Sequence, residues 1–559
     1  MLKRLLILTY CILLILLSFP AVGELIKPGY FSNHDGVGHI IRLAEFDIAL
    51  KDGAIPPRLD KNLMYGYGYY FFNFNYPLVY YLGEIIHSLG FDFVSSINIL
   101  TLTTFALSGL GMFLWQRRHW GNIGGFVAGM LYMYAPYRFL NMYVRGSTAE
   151  HLAFVMLPLL FMFTELIAEG SRRKQTLHSV LGGIAYALLL LSHNITAFIF
   201  TIILGLFMLF HLLISRRVSV LVHFVLVGII GLGLTTYFWL PSLAEKGYVR
   251  LDNTIAQDYP HHFVYLQQLI NSPWGFGGSV EGSNDGLSFQ LGKVQLILSA
   301  IGIFALGYLW KHKRAKAYHL ILYMSILVLS VILMLSISSP IWKNLPLLPF
   351  VQFPWRFLSW SIFAMAAIGG AASFVVGIIL QKVNRFLPWI FVVVVAGGLF
   401  YFNQDYWKVN QRIQVSLPGD QPIAGSTTWA DEQFPIWFEP KPASIPKNHI
   451  EIISGKADVS SISWKTAQHS YKVNAQNTSI LVENTAYYPG WEISDNNHPL
   501  KFDYENKNYP GRMVYTLPTG KHNIESKFVE TPLRKSADLV SVIFVFLTGA
   551  FALTALKHT

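Results

Sequence analysis

Short basic clusters alternate with long apolar runs through most of this 559-residue chain, and that alternation limits its fold more than any motif. The clusters are Lys3/Arg4, Arg117/Arg118, Arg172/Arg173/Lys174, Arg216/Arg217, Lys311/Lys313/Arg314/Lys316 and Lys382/Arg385. Lysine and arginine collect in the cytoplasmic loops of membrane proteins, so the spacing predicts helices that cross a bilayer repeatedly, with the N-terminus inside. The composition agrees: 53% of residues are hydrophobic, 13% are charged, and the mean hydropathy is +0.42. Together with Lys557, the clusters hold sixteen of the 42 Lys and Arg residues. The formal charge of +11 is therefore topological and does not point to nucleic acid. The single cysteine, Cys11, rules out an intrachain disulfide, so any exported domain is held by its own core.

The apolar run from Leu5 to Val22 is about 18 residues, long enough to span. It reads as a retained anchor, while Pro20-Ala21-Val22-Gly23 leaves signal-peptide cleavage open. Further spans are expected near 95–115, 122–140, 151–168, 177–192, 195–215, 218–240, 292–310, 317–337, 356–380, 386–402 and 536–556, about twelve in all. The stretch from Tyr76 to about Gly90 is also apolar. If it crossed, every later basic cluster would invert, so it reads as a helix lying at the interface. Paired glycines such as Gly124/Gly125 and Gly369/Gly370 read as close helix packing.

Residues 403–535 change character: short alternating stretches such as Ser461-Ile462-Ser463-Trp464 lie between turn residues. The expected class is an α-helical polytopic membrane protein with a C-terminal extracytoplasmic all-β domain and a final transmembrane helix. Its parts are a transmembrane domain at 1–402 with outer loops 24–94, 241–291 and 338–355, a β-sandwich-like domain at 403–535, and a last helix with a short cytoplasmic tail at 536–559. The expected location is the cytoplasmic (inner) membrane. No P-loop, zinc-ligand spacing or dinucleotide fingerprint is present.

The residues that carry chemistry begin at His34-Asp35-Gly36-Val37-Gly38-His39-Ile40-Ile41-Arg42, just outside the first span. On a helix starting near Asp35, the residues Asp35, His39 and Arg42 share one face. An ionised Asp35 accepts a proton or holds a divalent cation; His39 and Arg42 are placed to orient it or to bind phosphate. Further polar residues fall in outer loops or at outer span ends: Arg145, Glu150, His193, Asn194, His261, His262 and Arg356. Each has an ordinary account. Arg145 and Glu150 pair, His193 snorkels, and Arg356 anchors its helix. Jointly they lie on the same side as Asp35, and an anionic headgroup is the natural ligand for such a cluster.

Several motifs, in order along the chain, resemble a membrane family labelled 6-pyruvoyl-tetrahydropterin synthase-related. They are the His34–Arg42 stretch, Ile55-Pro56-Pro57-Arg58, Tyr143-Val144-Arg145-Gly146-Ser147 with Glu150, Leu191-Ser192-His193-Asn194, and Gln352-Phe353-Pro354-Trp355-Arg356. Tyr487-Tyr488-Pro489-Gly490-Trp491 is similar to the exported domain of related bacterial membrane glycosylation proteins. More broadly the chain looks like a GT-C glycosyltransferase. The resemblance implies transfer of a sugar from a polyprenyl-phosphate donor to a glycan, lipid or protein acceptor at the bilayer. Carried over by position, Asp35 matches the acidic residue of the first outer loop, with Glu150 as the second acid. His39 assists catalysis. His34, Arg42, Arg58, Arg145, His193, Asn194, His261, His262 and Arg356 bind substrate. No adjacent Asp pair occurs in the first outer loop, which leaves the need for a divalent cation open. The mechanism implied is inverting transfer with Asp35 as general base. Two other readings stay open: a transporter or flippase for lipid-linked sugars, and a non-catalytic protein of cell-envelope glycan assembly.

Overall fold

The computed structural model describes residues 2–251, 258–417, 419 and 421–557. Nine helices among the described residues are long and apolar enough to cross a membrane. The pair Val218–Leu234 and Thr236–Ala244, bent by 73°, makes a tenth if it is one span. Two of the twelve expected spans are not counted separately there. Leu387–Asn403 is a short apolar helix of 17 residues. The expected spans 95–115 and 122–140 are joined in one helical run, Phe93–Met133, broken at Gly121, whose φ of 65° and ψ of −177° leave the helix. A Cβ on Gly125 would lie 2.7 Å from the backbone nitrogen of Arg117, so the chain doubles back tightly at the break. Only glycine adopts such a backbone without strain.

The glycine pairs serve packing. A Cβ on Gly124 would lie 2.7 Å from the carbonyl of Gly370, and one on Gly369 would run into the side chain of Leu131. The helices Phe93–Met133 and Leu358–Val383 therefore pack with backbone close to backbone, as small residues allow in a bilayer. The apolar stretch after Tyr76 forms the helix Leu78–Ser88, whose 11 residues are too few to span.

From Ile450 the chain forms two antiparallel sheets. The larger orders its strands Ala457–Lys465, Gln468–Ala475, Gly520–Phe528, Trp491–Asp495 and His498–Leu500; the smaller orders Ile450–Ser454, Ser479–Glu483 and Met513–Leu517. Alternate residues face one shared core: Tyr471 and Val473, Leu481, Trp491 and Ile493, Tyr515 and Leu517, and Ile524 are all buried there. That core is not closed by the sheets alone. Leu59, Tyr70, Phe74 and Val249, from the membrane portion, belong to it. The Trp491 indole donates to the Tyr70 hydroxyl at 2.9 Å, and Tyr70 stacks on Tyr488 with ring centres 4.2 Å apart.

The final helix, Pro532–Lys557, is tied to this seam by charge. Arg534 is fully buried and donates to Glu245 at 2.9 and 3.0 Å, and Tyr488 and Asn73 donate to the same carboxylate. Arg534 is an exception to the basic-inside pattern on sequence grounds, and its buried partner explains it. The stretch before the sheets wraps back over the first loop: the Arg412–Ile413 strand pairs with Tyr30–Phe31, and the backbone N–H groups of Met64 and Tyr65 donate to Gly425 and Ile423.

Candidate functional site

The site is assembled where the first loop meets the turn after the Gly121 hairpin. Asp35 is the N-cap residue of the helix Gly36–Lys51, and its side chain does not cap that helix. Its backbone N–H is used instead, donating to the Arg145 carbonyl at 2.8 Å, while His34 N–H donates to Val144 at 3.0 Å. Residues Leu140–Arg145 form a single π turn that ends at Gly146 in the left-handed region, φ 67°. A Cβ on Gly146 would lie 2.5 Å from Asn33 Oδ1 and 2.6 Å from the Gly36 nitrogen. Glycine is thus required twice at 146, for its backbone and for its closeness to the first loop. π turns of this kind recur at functional sites.

Around Asp35 stand mostly cations. Arg145 is buried and donates to Glu150 Oε2 at 2.6 Å and to Asn141; Tyr137 donates to Glu150 Oε1 at 2.8 Å. Burial works against the Arg145 cation, but Glu150, Tyr137 and Asp35 more than offset it, raising its pKa. The guanidinium lies over the Trp355 ring at 4.8 Å, and Arg356 approaches the same ring at 5.9 Å. Arg356 is also buried. It donates to the Val351 carbonyl at 3.0 Å, its Nε has no hydrogen-bond partner, and it has no carboxylate partner among the described residues. Arg42 lies over Phe71 at 4.1 Å and donates through Nε to the Thr427 hydroxyl at 2.7 Å.

Two neutral imidazoles and a phenol complete the cluster. His39 is buried and its Nδ1 meets the Tyr80 hydroxyl at 3.0 Å; burial, then Arg42 and His193, hold its pKa well below the usual range. His193 is the N-cap of the helix Asn194–Ser215, where its Nδ1 accepts from the Thr196 N–H at 3.2 Å. That bond assigns the proton to Nε2. Burial is the main cause that brings the His193 pKa down to about 3. Tyr76 lies between the two histidines, 5.3 Å from the His193 ring and 6.2 Å from that of His39. Its phenol feels Arg42, Asp35, Arg356 and Arg145 together.

Asp35 itself is exposed, and its carboxylate makes no hydrogen bond or ion pair among the described residues. Glu150, the expected second acid, has both of its oxygens engaged by Tyr137 and Arg145. One free carboxylate among three guanidiniums is a poor donor set for a divalent cation and a good setting for an anion. An open cavity of about 310 Å³ lies along the same helix, lined by Glu45, Asp47, Lys51 and Lys61 among others, and Asp35 does not line it.

The structure thus draws together Asp35, His39, Arg42, Arg145, Glu150, His193 and Arg356. His34 is exposed at the rim, with Nε2 3.4 Å from the Phe276 carbonyl, and Asn194 donates to the Phe74 carbonyl at 3.0 Å. Arg58 requires correction as a substrate ligand. It is buried in the seam, donating to Glu530 at 2.7 Å, Asp538 at 3.1 Å, Asn73 and the Tyr237 carbonyl, so protein groups use up its guanidinium. His261 is also displaced: it is exposed and paired with Glu281 at 3.0 Å. His262 reaches only the border, its ring 4.7 Å from Phe353. Sequence reasoning missed Tyr76, Tyr137 and Thr427. Tyr76 and Tyr137 each flank a proline at a helix start, which was the available signal; Thr427 had none.

These features define a polytopic helical membrane protein with a C-terminal β domain and a site at one end of its bundle. Residues 72–404 match the model of the 6-pyruvoyl-tetrahydropterin synthase related domain, a membrane protein, and the chain belongs to that family. No match was found among curated proteins. Among solved structures it is similar to the Archaeoglobus fulgidus oligosaccharyltransferase in complex with Zn and sulfate, at 14% identity and TM-score 0.43 over 72% of this chain and 54% of that one. The same enzyme tethered to an acceptor peptide containing the NVT sequon matches at 14% identity and TM-score 0.44, covering 72% and 55%. The arabinofuranosyltransferase AftD from Mycobacteria matches at 12% identity and TM-score 0.42, covering 74% and 28%. The chain spans about half the length of the oligosaccharyltransferase.

Proposed function

We propose that this protein is a membrane glycosyltransferase that moves a sugar from a polyprenyl-phosphate donor to an acceptor hydroxyl on the outer side of the membrane, with inversion. The observation that carries this reading is the free Asp35 carboxylate set among Arg42, Arg145 and Arg356, two of which share the Trp355 ring. Arg145 and Arg356 hold the donor phosphate, because guanidinium keeps its proton and its fork matches phosphate oxygens. Asp35 takes the proton of the acceptor hydroxyl as that oxygen bonds to the anomeric carbon. The bond from that carbon to the phosphate oxygen breaks, and its electron pair leaves with the polyprenyl phosphate. The arginines meet the charge that builds there. His193, neutral and carrying its proton on Nε2, supplies a hydrogen bond without adding charge. Glu150 positions Arg145, to which it is bonded. Of the remaining residues, His39 and Tyr80 buttress Arg42, and the β domain binds the acceptor glycan, lipid or protein.

Purified protein with labelled polyprenyl-phosphate sugars tests the reading. Asp35→Asn is expected to slow transfer by roughly a hundred- to ten-thousand-fold, the usual contribution of a positioned base, with thermal stability unchanged. Transfer at the wild-type rate in that variant removes Asp35 as the base. Donor movement across vesicles without any transfer by the wild type replaces the reading with transport.

A further inference from the structure

We propose that His119, Glu165 and His319, with His211 as a fourth donor, form a binding site for a zinc-class divalent transition metal at the end of the helix bundle far from Asp35. The ligand atoms of His119, Glu165 and His319 all lie within 4.8 Å of one another. His319 Nε2 is 3.7 Å and His211 Nε2 3.9 Å from Glu165 Oε1, and His119 Nε2 touches the same oxygen. Glu165 is fully buried; His119 and His211 are more than nine-tenths buried. Apart from the His119–Glu165 contact, three buried polar atoms meet there without a hydrogen-bond partner among the described residues: the Nε2 atoms of His211 and His319, and Glu165 Oε2. Buried polar atoms are rarely left so, and each orphan calls for an explanation.

Ligand chemistry supplies one. Three imidazoles and one carboxylate suit zinc, copper, iron or nickel rather than magnesium or calcium, which favour oxygen. Ligand atoms about 2.0–2.1 Å from one tetrahedral metal lie roughly 3.3 Å apart, so small side-chain shifts close this cluster around an ion. His319 is already turned for it: its Nδ1 meets the Ala315 carbonyl at 3.0 Å, which places the proton on Nδ1 and leaves the Nε2 lone pair free. Arg118, 3.6 Å from Glu165, and Glu169, bonded to Arg118, border the cluster from outside.

The site is separate from the one around Asp35. Glu165 lies fifteen residues beyond Glu150 on the helix Thr148–Glu169, about 22 Å along its axis. His211 lies seventeen residues beyond Asn194, about 26 Å along its own helix. The four donors come from four different helices: Phe93–Met133, Thr148–Glu169, Asn194–Ser215 and Arg314–Met334. A bound metal therefore clamps four spans at one point, and His119 fixes the limb that ends at the Gly121 break.

Metal binding is measured on tag-free, detergent-purified full chain, stripped with chelator and reloaded with zinc or cobalt. The expected result is one zinc per chain by elemental analysis, and intense visible bands of tetrahedral cobalt. His319→Gln and His211→Gln are expected to lose the bands, and His319→Gln to lose the rise in melting temperature that zinc gives the wild type. Wild-type protein that holds no stoichiometric zinc, or that shows only the weak spectrum of hydrated cobalt, overturns the proposal without reference to any variant. Bands that persist in a well-folded His119→Gln/His319→Gln protein also overturn it, by placing the metal elsewhere.

Discussion

The seam below the β domain and the cluster around Asp35 are both built on buried arginines, yet their balance differs. In the seam, Arg534 has Glu245, and Arg58 has Glu530 and Asp538. Every cation there has an acid within reach, and the result is an anchor between the β domain, the final helix and the first loop. Around Asp35, Arg145 takes up Glu150, while among the described residues Arg356 has no carboxylate bonded to it and the Asp35 carboxylate has no hydrogen-bond or ion-pair partner. A matched set of buried charges needs nothing further; an unmatched set is costly until a ligand arrives. The same residue type thus signals architecture in one place and binding in the other, and what separates the two is which partners are missing.

Substitutions sharpen this contrast. Glu245→Gln leaves Arg534 buried without its carboxylate, and the expected loss is about 3–5 kcal/mol of stability, read by thermal unfolding in detergent. A loss near zero would make the seam no anchor at all. Arg356→Ala has no ion pair to break, so its melting temperature should stay near that of the wild type. Its affinity for the polyprenyl-phosphate sugar should fall by the equivalent of about 1.5–3 kcal/mol, the worth of hydrogen bonds to a charged group, as read by ligand titration. Equal damage to stability and affinity would erase the distinction between the regions.

The pH dependence is gentler. His193, neutral when folded with a pKa of about 3, takes up a proton near pH 6.5 only when unfolded. Between those values the unfolded chain binds more protons, so the stability present above about pH 6.5 is lost as the pH falls toward 3. His193→Gln should flatten that slope by about one proton, and an unchanged slope would show that His193 is not held neutral.

Much of this was legible in advance, and the failures have a common cause. Asp35, His39 and Arg42 could be placed together because helical spacing is local, and Arg145 because it falls in an outer loop within a family-like motif; the turn at Gly146 was not anticipated. Arg58 was misread. Its acids are Glu530 and Asp538, more than four hundred residues away, and nothing near Arg58 announces them. Tyr76 was read only as the start of an apolar stretch, since its place between two histidines depends on three separate elements meeting. The two spans expected at 95–115 and 122–140 follow one another through a single tight break at Gly121, so they form the limbs of one hairpin. Arg534, a mild breach of the charge pattern, was in retrospect a clue: a cation on the unexpected side points to a buried acid.

The core shared by Tyr70 and Trp491 sets an order of events during synthesis. The two residues are 421 positions apart. At about 5–20 residues per second, the ribosome reaches Trp491 roughly 20–80 s after Tyr70. Through that interval Leu59, Tyr70 and Phe74 have left the ribosome while the surface that covers them does not yet exist. The first loop must therefore wait, exposed or escorted, and its final shape is among the last parts of the molecule to form.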